Sequence, residues 1–234
     1  MEKRDFKKEF KNLFDSICKK HSKFDVWNDF VHMSAYAISN AANFRQDRES
    51  MYMNIVKKYS KTDAAKFAEL LSLVVFAFEH NRRQDFLGQL YMEYRFGDAK
   101  KGQYFTPYSV ACMISNIIGY QNPANEAGYA SINDPCSGTG VLLIAYTNVL
   151  LELGRNPQME LFIAASDIDP CIAMMCYIQL SLLGCAGYVC VRDCITNPLT
   201  GKTLSPPDDA YIMPMTLQPI WQYRRLIEAV ENYS

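Results

Sequence analysis

The sequence lacks the features of a membrane or secreted protein. It has no uninterrupted run of about 18 apolar residues, the length that a membrane-spanning helix needs. The longest apolar tract, residues 172–191, is broken by two glycines and by polar side chains, and is typical of a helix followed by a buried strand. No basic start, apolar core and small-residue cleavage site follow Met1. We therefore expect no membrane association and no secretory signal.

The sequence also lacks the cysteine spacing of a metal site. Its eight cysteines include no Cys-x-x-Cys pair, and its three histidines lie upstream of most of them. Because zinc sites are built from closely spaced ligand pairs, we predict no metal. Several cysteines lie inside apolar runs, where a free thiol packs as a small hydrophobic group. We expect free thiols and a reducing, cytoplasmic location.

Neither sign of charge dominates the chain. Its 234 residues are 49% hydrophobic and 21% charged, with a net charge of −1, which is an ordinary globular composition. Residues 1–101 carry 19 Lys and Arg against 14 Asp and Glu, whereas residues 102–234 carry 5 against 11. This balance excludes a disordered chain and does not by itself indicate a nucleic-acid partner.

Hydrophobic periodicity predicts two parts. In residues 1–100 apolar side chains such as Phe6, Phe10 and Leu13 recur at three- and four-residue spacing, which predicts a helical N-terminal subdomain. In residues 101–234 short apolar strands alternate with helices. This pattern predicts an α/β domain of parallel βαβ units, with ligands bound at the carboxyl ends of the strands.

A glycine-containing turn joins one predicted strand to the next helix. The run Asn-Asp-Pro-Cys-Ser-Gly-Thr-Gly at 133–140 places Gly138 and Gly140 where the backbone can approach a ligand closely. The helix N-terminus behind it favours a carboxylate or a phosphate. Leu143 stands where the dinucleotide fingerprint needs glycine, and no Gly-Lys-Ser/Thr of a Walker loop follows. A purely structural turn remains an alternative.

Acidic residues end the next two predicted strands. Asp167 lies 27 residues after Gly140, where a carboxylate can accept hydrogen bonds from both ribose hydroxyls. We predict that Asp169, which precedes Pro170, mainly caps the following helix, with ligand contact left open. Asp193 follows the third strand, where it can contact an adenine amino group or cap a turn. Together the three loops predict a nucleoside pocket.

Three runs resemble the N6-adenine DNA methyltransferases, including the modification subunits of type I restriction systems. They are Lys-Gly-Gln-Tyr-Phe-Thr-Pro at 101–107, the glycine run at 133–140, and Ser-Asp-Ile-Asp-Pro at 166–170. Residues 85–188 are also similar to short N-6 DNA methylase-like proteins of phages and mobile elements, and the whole resemblance spans about residues 85–225. It implies a Rossmann-like class I methyltransferase sheet, complete or truncated, behind the helical subdomain.

The resemblance also implies a cofactor, a partner and a set of contacts. The cofactor is S-adenosylmethionine, the partner is DNA, and the activity is methylation of adenine N6. The implied cofactor contacts are Phe105 and Thr106 lining the site, Asp134, Cys136, Gly138 and Gly140 around the methionine part, Asp167 at the ribose and Asp193 at the adenine.

The catalytic motif of that family, Asn/Asp-Pro-Pro followed by Tyr or Phe after the fourth strand, is absent or degenerate here. The nearest segments are 197–200, 205–208 and 210–214, and each departs from it. In the last, a predicted strand at 210–213 ends with methionine where the amide should stand, and a thioether is a poor acceptor. Met213 and Pro214 are only weak candidates for catalytic residues.

Several interpretations follow from this combination. The chain is an adenine-N6 DNA methyltransferase, or a catalytically inactive cofactor-binding accessory or regulatory subunit in a restriction–modification or mobile-element context. A third, weaker alternative is a protein or RNA substrate. We also expect the fourth strand to lie at an open sheet edge, covered by a second copy, a partner subunit or the N-terminal helices.

Overall fold

The structure is a computed structural model that describes residues 4–97, 104–121, 124, 128–199 and 204–231. In those ranges the helices are α1 (Phe6–Ile17), α2 (Lys23–Ala42), α3 (Gln46–Val56), α4 (Lys61–His80), α5 (Phe86–Glu93), α6 (Tyr108–Gln121), α7 (Val141–Glu152), α8 (Pro157–Glu160), α9 (Pro170–Leu182) and α10 (Pro219–Glu231). The strands are β1 (Ala130–Asp134), β2 (Leu161–Asp167), β3 (Ala186–Val191) and β4 (Tyr211–Ile212), and a 3₁₀ helix spans Pro214–Leu217.

The first five helices pack around a cluster of aromatic rings. Phe10 of α1 makes edge-to-face contacts with Phe30 of α2 and Phe86 of α5, with ring centroids 5.4 and 5.9 Å apart. Trp27 of α2 is fully buried beside them. Such contacts add to the hydrophobic stabilisation that the apolar stripes provide. The helical character predicted for this part of the chain is confirmed.

The sheet has the order β1-β2-β3-β4, and β1, β2 and β3 are parallel. The predicted α/β class and parallel βαβ units are therefore confirmed. Gly187 in β3 has φ +137°, and a Cβ there would lie 1.9 Å from the carbonyl oxygen of Ile163. Only glycine fits between these strands.

The fourth strand is antiparallel to β3, with Ile212 beside Tyr188 and Tyr211 beside Val189. A strand predicted at 210–213 is therefore confirmed at Tyr211–Ile212, but it departs from the parallel direction of the other three. A parallel return needs a crossover of about a dozen residues, usually a helix. The described residues between β3 and β4 form turns and contain no helix.

The two edges of the sheet are formed by β4 and β1. Tyr211 of β4 lies against the N-terminal helices, because the Arg48 guanidinium is 5.1 Å from its ring centroid and the Tyr36 ring is 6.5 Å away. In the described part of the chain β1 pairs only with β2, and its Ser131 and Asn133 are exposed. The fourth strand is thus outermost, as expected, and its contact with the N-terminal helices agrees with one of the three covers considered above, while β1 forms the other edge.

The helical part and the sheet share one hydrophobic core. A single buried cluster contains side chains of α1, α2, α4 and α5 together with side chains of β2, β3, α7 and α9. Residues 98–103, where we placed the domain boundary, lie outside the described residues, so the division into 1–100 and 101–234 stays a prediction. Among the described residues, the helices are too short or too polar to cross a membrane.

Candidate functional site

The turn between β1 and α7 depends on glycine for its backbone conformation and for its close contact with α9. Gly138 and Gly140 have φ values of +55° and +87°, in the left-handed region that favours glycine. A Cβ on Gly140 would lie 2.9 Å from the Cys176 Sγ of α9. The backbone of this turn therefore lies directly on α9, and its Ser137 N–H donates to the Ser166 carbonyl near the end of β2 over 2.9 Å.

Asp167, at the end of β2, binds the glycine turn directly. The Gly138 N–H donates to Asp167 Oδ2 over 3.0 Å, and the Asp169 N–H donates to Oδ1 over 3.0 Å. Burial raises the pKa of this carboxyl, and the two backbone hydrogen bonds partly oppose that rise. Each carboxylate oxygen has a second lone pair, so Asp167 can still accept a hydrogen bond from a ligand.

A second carboxylate, that of Asp134, lies at the end of β1. Its Oδ1 accepts from the Cys136 N–H over 3.2 Å. Burial raises the pKa of Asp134, and the nearby charge of Asp167 raises it further. Two half-buried carboxylates that repel each other form a site that favours a cationic group.

The loop after β3 lies at the same end of the sheet, beside the carboxyl ends of β1 and β2. Cys194 Sγ lies 3.4 Å from Cys136 Sγ, and the Arg192 N–H donates to the Asp167 carbonyl over 3.0 Å. Asp193 Oδ1 accepts from the Ile195 N–H over 2.9 Å, so this side chain does cap a turn, and the hydrogen bond lowers its pKa. Its Oδ2 takes no part in that bond, and the adenine contact stays a prediction.

Asp169 has the capping role predicted for it. Its Oδ1 accepts from the N–H groups of Cys171 and Ile172 over 2.9 and 3.2 Å, at the start of α9. A carboxylate in this position satisfies amides that have no partner within the helix. Asp169 therefore fixes the direction in which the chain leaves β2, next to Asp167.

Phe105 lies over the glycine turn. Its ring is 3.7 Å from the position that a Cβ on Gly138 would occupy, and 5.6 Å, centroid to centroid, from the ring of Tyr91. Thr106 is half-buried in the segment just before α6. Residues 101–103 of the same run lie outside the described residues. The turn thus has an aromatic side chain on one side and α9 on the other.

A buried polar network contacts the glycine turn through Thr139. Asp85, which is 4% exposed, accepts from the Thr139 hydroxyl over 2.5 Å and from Gln179 Nε2 over 2.8 Å. It also accepts from the Gly88 N–H over 2.9 Å, as the N-cap of α5. Gln179 Nε2 also donates to the Thr139 carbonyl over 2.9 Å. Burial raises the pKa of Asp85 although these hydrogen bonds oppose the rise. Asp85 therefore joins the N-terminal helices to the glycine turn.

A comparison with known protein families assigns the chain to one of them. The model of the family described as N-6 DNA Methylase matches residues 82–207, which is more than half of the chain. The chain belongs to the N-6 DNA methylase family. No curated protein matches it significantly. The matched segment begins just before Asp85, includes all three loops, and ends before β4.

The weak catalytic candidates, Met213 and Pro214, do not lie at the carboxyl ends of the parallel strands. The Met213 N–H donates to the Gly187 carbonyl over 2.9 Å, so Met213 lies beside the first residues of β3. Asp193 follows the opposite end of that strand. Met213 is fully buried and Pro214 begins the 3₁₀ helix. The structure does not bring this pair together with the three loops, and a catalytic role for it has no geometric support.

The Asp85 network escaped the sequence analysis. An acid before an apolar helix predicts a cap, and that signal is present at Asp85. Its second role depends on Thr139, 54 residues further along the chain. Sequence patterns carry no information on a hydrogen bond between two elements so far apart.

Proposed function

We propose that this N-6 DNA methylase binds S-adenosylmethionine at the carboxyl ends of β1, β2 and β3, in a Rossmann-like methyltransferase arrangement, and takes part in methylation of adenine N6 in DNA. The observation that carries the proposal is the convergence of three loops, in which the Gly138 N–H donates to Asp167 and Cys136 contacts Cys194. Ligands of open α/β sheets bind at this end of the strands.

The chemistry of these residues fits the proposed cofactor. S-adenosylmethionine carries a sulfonium and an ammonium group, and Asp134 and Asp167 supply two carboxylates whose mutual repulsion a cation would relieve. The remaining lone pairs of Asp167 can accept from ribose hydroxyls, and the N-terminus of α7 favours a carboxylate. When bound, the cofactor supplies an activated methyl group. The residues of this edge then bind and orient it.

A catalytically inactive accessory or regulatory subunit is the second candidate. The position of β4 favours it, because Met213 lies beside Gly187 rather than near the three loops. An enzyme that methylates adenine needs acceptors for the amino group and an aromatic ring for the extruded base. The sequence has no Asn/Asp-Pro-Pro-Tyr/Phe run to supply them. A role in restriction–modification or in a mobile element, with DNA as the partner, belongs to the same proposal.

The expected contact with another chain moves to a different edge of the sheet. The sequence led us to expect that a second copy, a partner subunit or the N-terminal helices cover the fourth strand. Among the described residues both outer strands pair on one side only, but Tyr211 of β4 is contacted by the N-terminal helices, whereas Ser131 and Asn133 of β1 are exposed. Light scattering after size exclusion tests this prediction, and a clean monomer at high concentration would count against a homodimer.

A two-part assay tests the proposed function. Calorimetry first measures the binding of S-adenosylmethionine to the purified chain, and transfer of a labelled methyl group to unmethylated DNA is measured next. Binding with transfer supports the methyltransferase, and binding without transfer supports the accessory subunit. The absence of binding would contradict both. Prior incubation with S-adenosylhomocysteine is the control for binding at the same site.

A further inference from the structure

The cysteines of the chain fall into two groups. All eight are free thiols, and four of them, Cys171, Cys176, Cys185 and Cys190, are buried. Burial raises the pKa of each of these four, as expected for inert structural thiols. Cys136 differs, because it is exposed, and its sulfur lies 3.4 Å from that of the half-exposed Cys194.

These two thiols are close enough to be joined. A disulfide has an S–S length of about 2.05 Å, so the sulfurs need to approach by only about 1.4 Å. Both residues lie in loops rather than inside a helix or a strand: Cys136 in the turn after β1 and Cys194 in the turn after β3. Loop backbones can absorb such a movement without breaking the ladder of the sheet.

Their position gives the bond a consequence. Cys136 lies between Asp134 and Gly138 in the glycine turn, and Cys194 directly follows Asp193. A bond between the sulfurs therefore ties the first loop to the third across the end of β2, where Asp167 lies. A ligand that enters between these loops needs them to separate.

We propose that Cys136 and Cys194 form a reversible disulfide that closes the entrance to the cofactor site, so that the oxidised chain binds S-adenosylmethionine more weakly than the reduced chain. The effect on binding rests on the function proposed above. The disulfide itself does not depend on it.

The reaction needs one oxidant, glutathione disulfide. The thiolate of Cys136 attacks one sulfur of glutathione disulfide, a mixed disulfide forms, and one glutathione thiolate leaves and takes up a proton. The thiolate of Cys194 then attacks the Cys136 sulfur, and the second glutathione leaves. Two protein thiols are oxidised to one disulfide, and one glutathione disulfide is reduced to two glutathione thiols. Contact with Cys194 and burial raise the pKa of Cys136 to about 11, so the reaction is faster at alkaline pH.

The test uses the full chain after incubation with glutathione disulfide and, in parallel, with dithiothreitol. Alkylation, proteolysis and mass spectrometry should find the Cys136 peptide linked to the Cys194 peptide only after oxidation. Calorimetry should then show an affinity for S-adenosylmethionine at least about tenfold lower, restored by dithiothreitol. The Cys194→Ser variant should give no linked peptide, and its oxidation should stop at the mixed disulfide between Cys136 and glutathione, which dithiothreitol reverses. Cys112→Ser, which changes a partly exposed cysteine of α6, should behave as the unmodified chain.

Two results would overturn the proposal: no linked peptide, or a linked peptide with unchanged affinity. Failure of the proposed function has a different signature, since neither the reduced nor the oxidised chain would then bind the cofactor. In that case the linked peptide alone decides whether the disulfide forms, and resistance of the 133–140 loop to proteolysis decides whether it closes the entrance.

Discussion

The two ends of β3 differ in what surrounds them. At its carboxyl end Asp193 and Cys194 lie partly exposed beside the glycine turn and Asp167. At its amino end the Thr216 hydroxyl accepts from the Gly187 N–H over 2.6 Å and donates to the Gly187 carbonyl over 2.8 Å, and Met213 is fully buried. The chain satisfies its own polar groups at one end and leaves polar groups partly exposed at the other. Buried packing and partly exposed polar groups are therefore separated along one strand.

The largest effect on stability is expected at Asp85, which supports the carboxyl end from below. Asp85→Ala should lower the free energy of unfolding by about 4 kcal/mol, because it leaves the buried donors of Thr139, Gln179 and Gly88 unsatisfied. Urea unfolding measures the loss.

The matched control for this change is Asp5→Ala. Asp5 also caps a helix, by accepting from the Lys8 N–H over 3.0 Å, but it lies at the surface. The loss there should be about 1 kcal/mol or less. Equal losses in the two variants would show that the buried network adds nothing to the cap of α5.

A somewhat smaller effect on stability is expected at the amino end of β3, where Met213 is buried. Met213→Ala should cost about 3 kcal/mol of stability, because it removes a fully buried side chain, and should leave the affinity for S-adenosylmethionine unchanged. Met215→Ala, at a half-buried position, is the control and should cost less. Chemical unfolding and calorimetry on the same samples separate the two quantities. A loss of affinity in Met213→Ala with little loss of stability would mean that this end also belongs to the site.

The smallest expected effect is a change of cofactor affinity with pH, at the carboxyl ends of the strands. Burial raises the pKa of Asp134 and Asp167 above the ordinary value of 3.8, so both take up protons before exposed carboxyls as the pH falls. Protonation removes the negative charge that attracts a cation, and the affinity for S-adenosylmethionine should decline over that range. Calorimetry at a series of pH values measures the decline.

The stability of the free chain should change in the opposite direction. A carboxyl whose pKa is raised by folding binds its proton more tightly in the folded state, so ionised Asp134 and Asp167 cost stability at neutral pH. This cost diminishes as the pH falls through their folded-state pKa values. Asp167→Asn should reduce both trends. Affinity that stays constant as these groups are protonated would contradict the electrostatic part of the site.

Much of the candidate site, at the carboxyl ends of β1, β2 and β3, could be predicted from the sequence. Alternating strands and helices require β1, β2 and β3 to be parallel, and parallel strands bring their carboxyl ends to one edge. The glycine turn, Asp167 and Asp193 each come at the end of a predicted strand, so their convergence followed from the pattern, whereas Asp134 was implied only by the family resemblance. The direction of β4 did not, because a two-residue strand has too little periodicity to fix its partner or its orientation.

The contacts between distant elements also lay beyond the sequence. Asp85 and Thr139 are 54 residues apart, and Cys136 and Cys194 are 58 residues apart. Each pair is brought together only by the packing of α5 and β3 against the glycine turn. The outermost position of β4 was predicted, but the sequence did not say which of the possible covers lies against it.

The most direct test of the central claim is calorimetry of S-adenosylmethionine binding to Asp167→Ala. The carboxylate of Asp167 is the group that links the glycine turn to β2 and faces the proposed ribose, so we predict that binding is no longer measurable, a loss of about a hundredfold or more. Circular dichroism should remain that of the unmodified chain, and Asp25→Ala, at an exposed position in α2, should bind normally. An unchanged affinity in Asp167→Ala would contradict the assignment of the site.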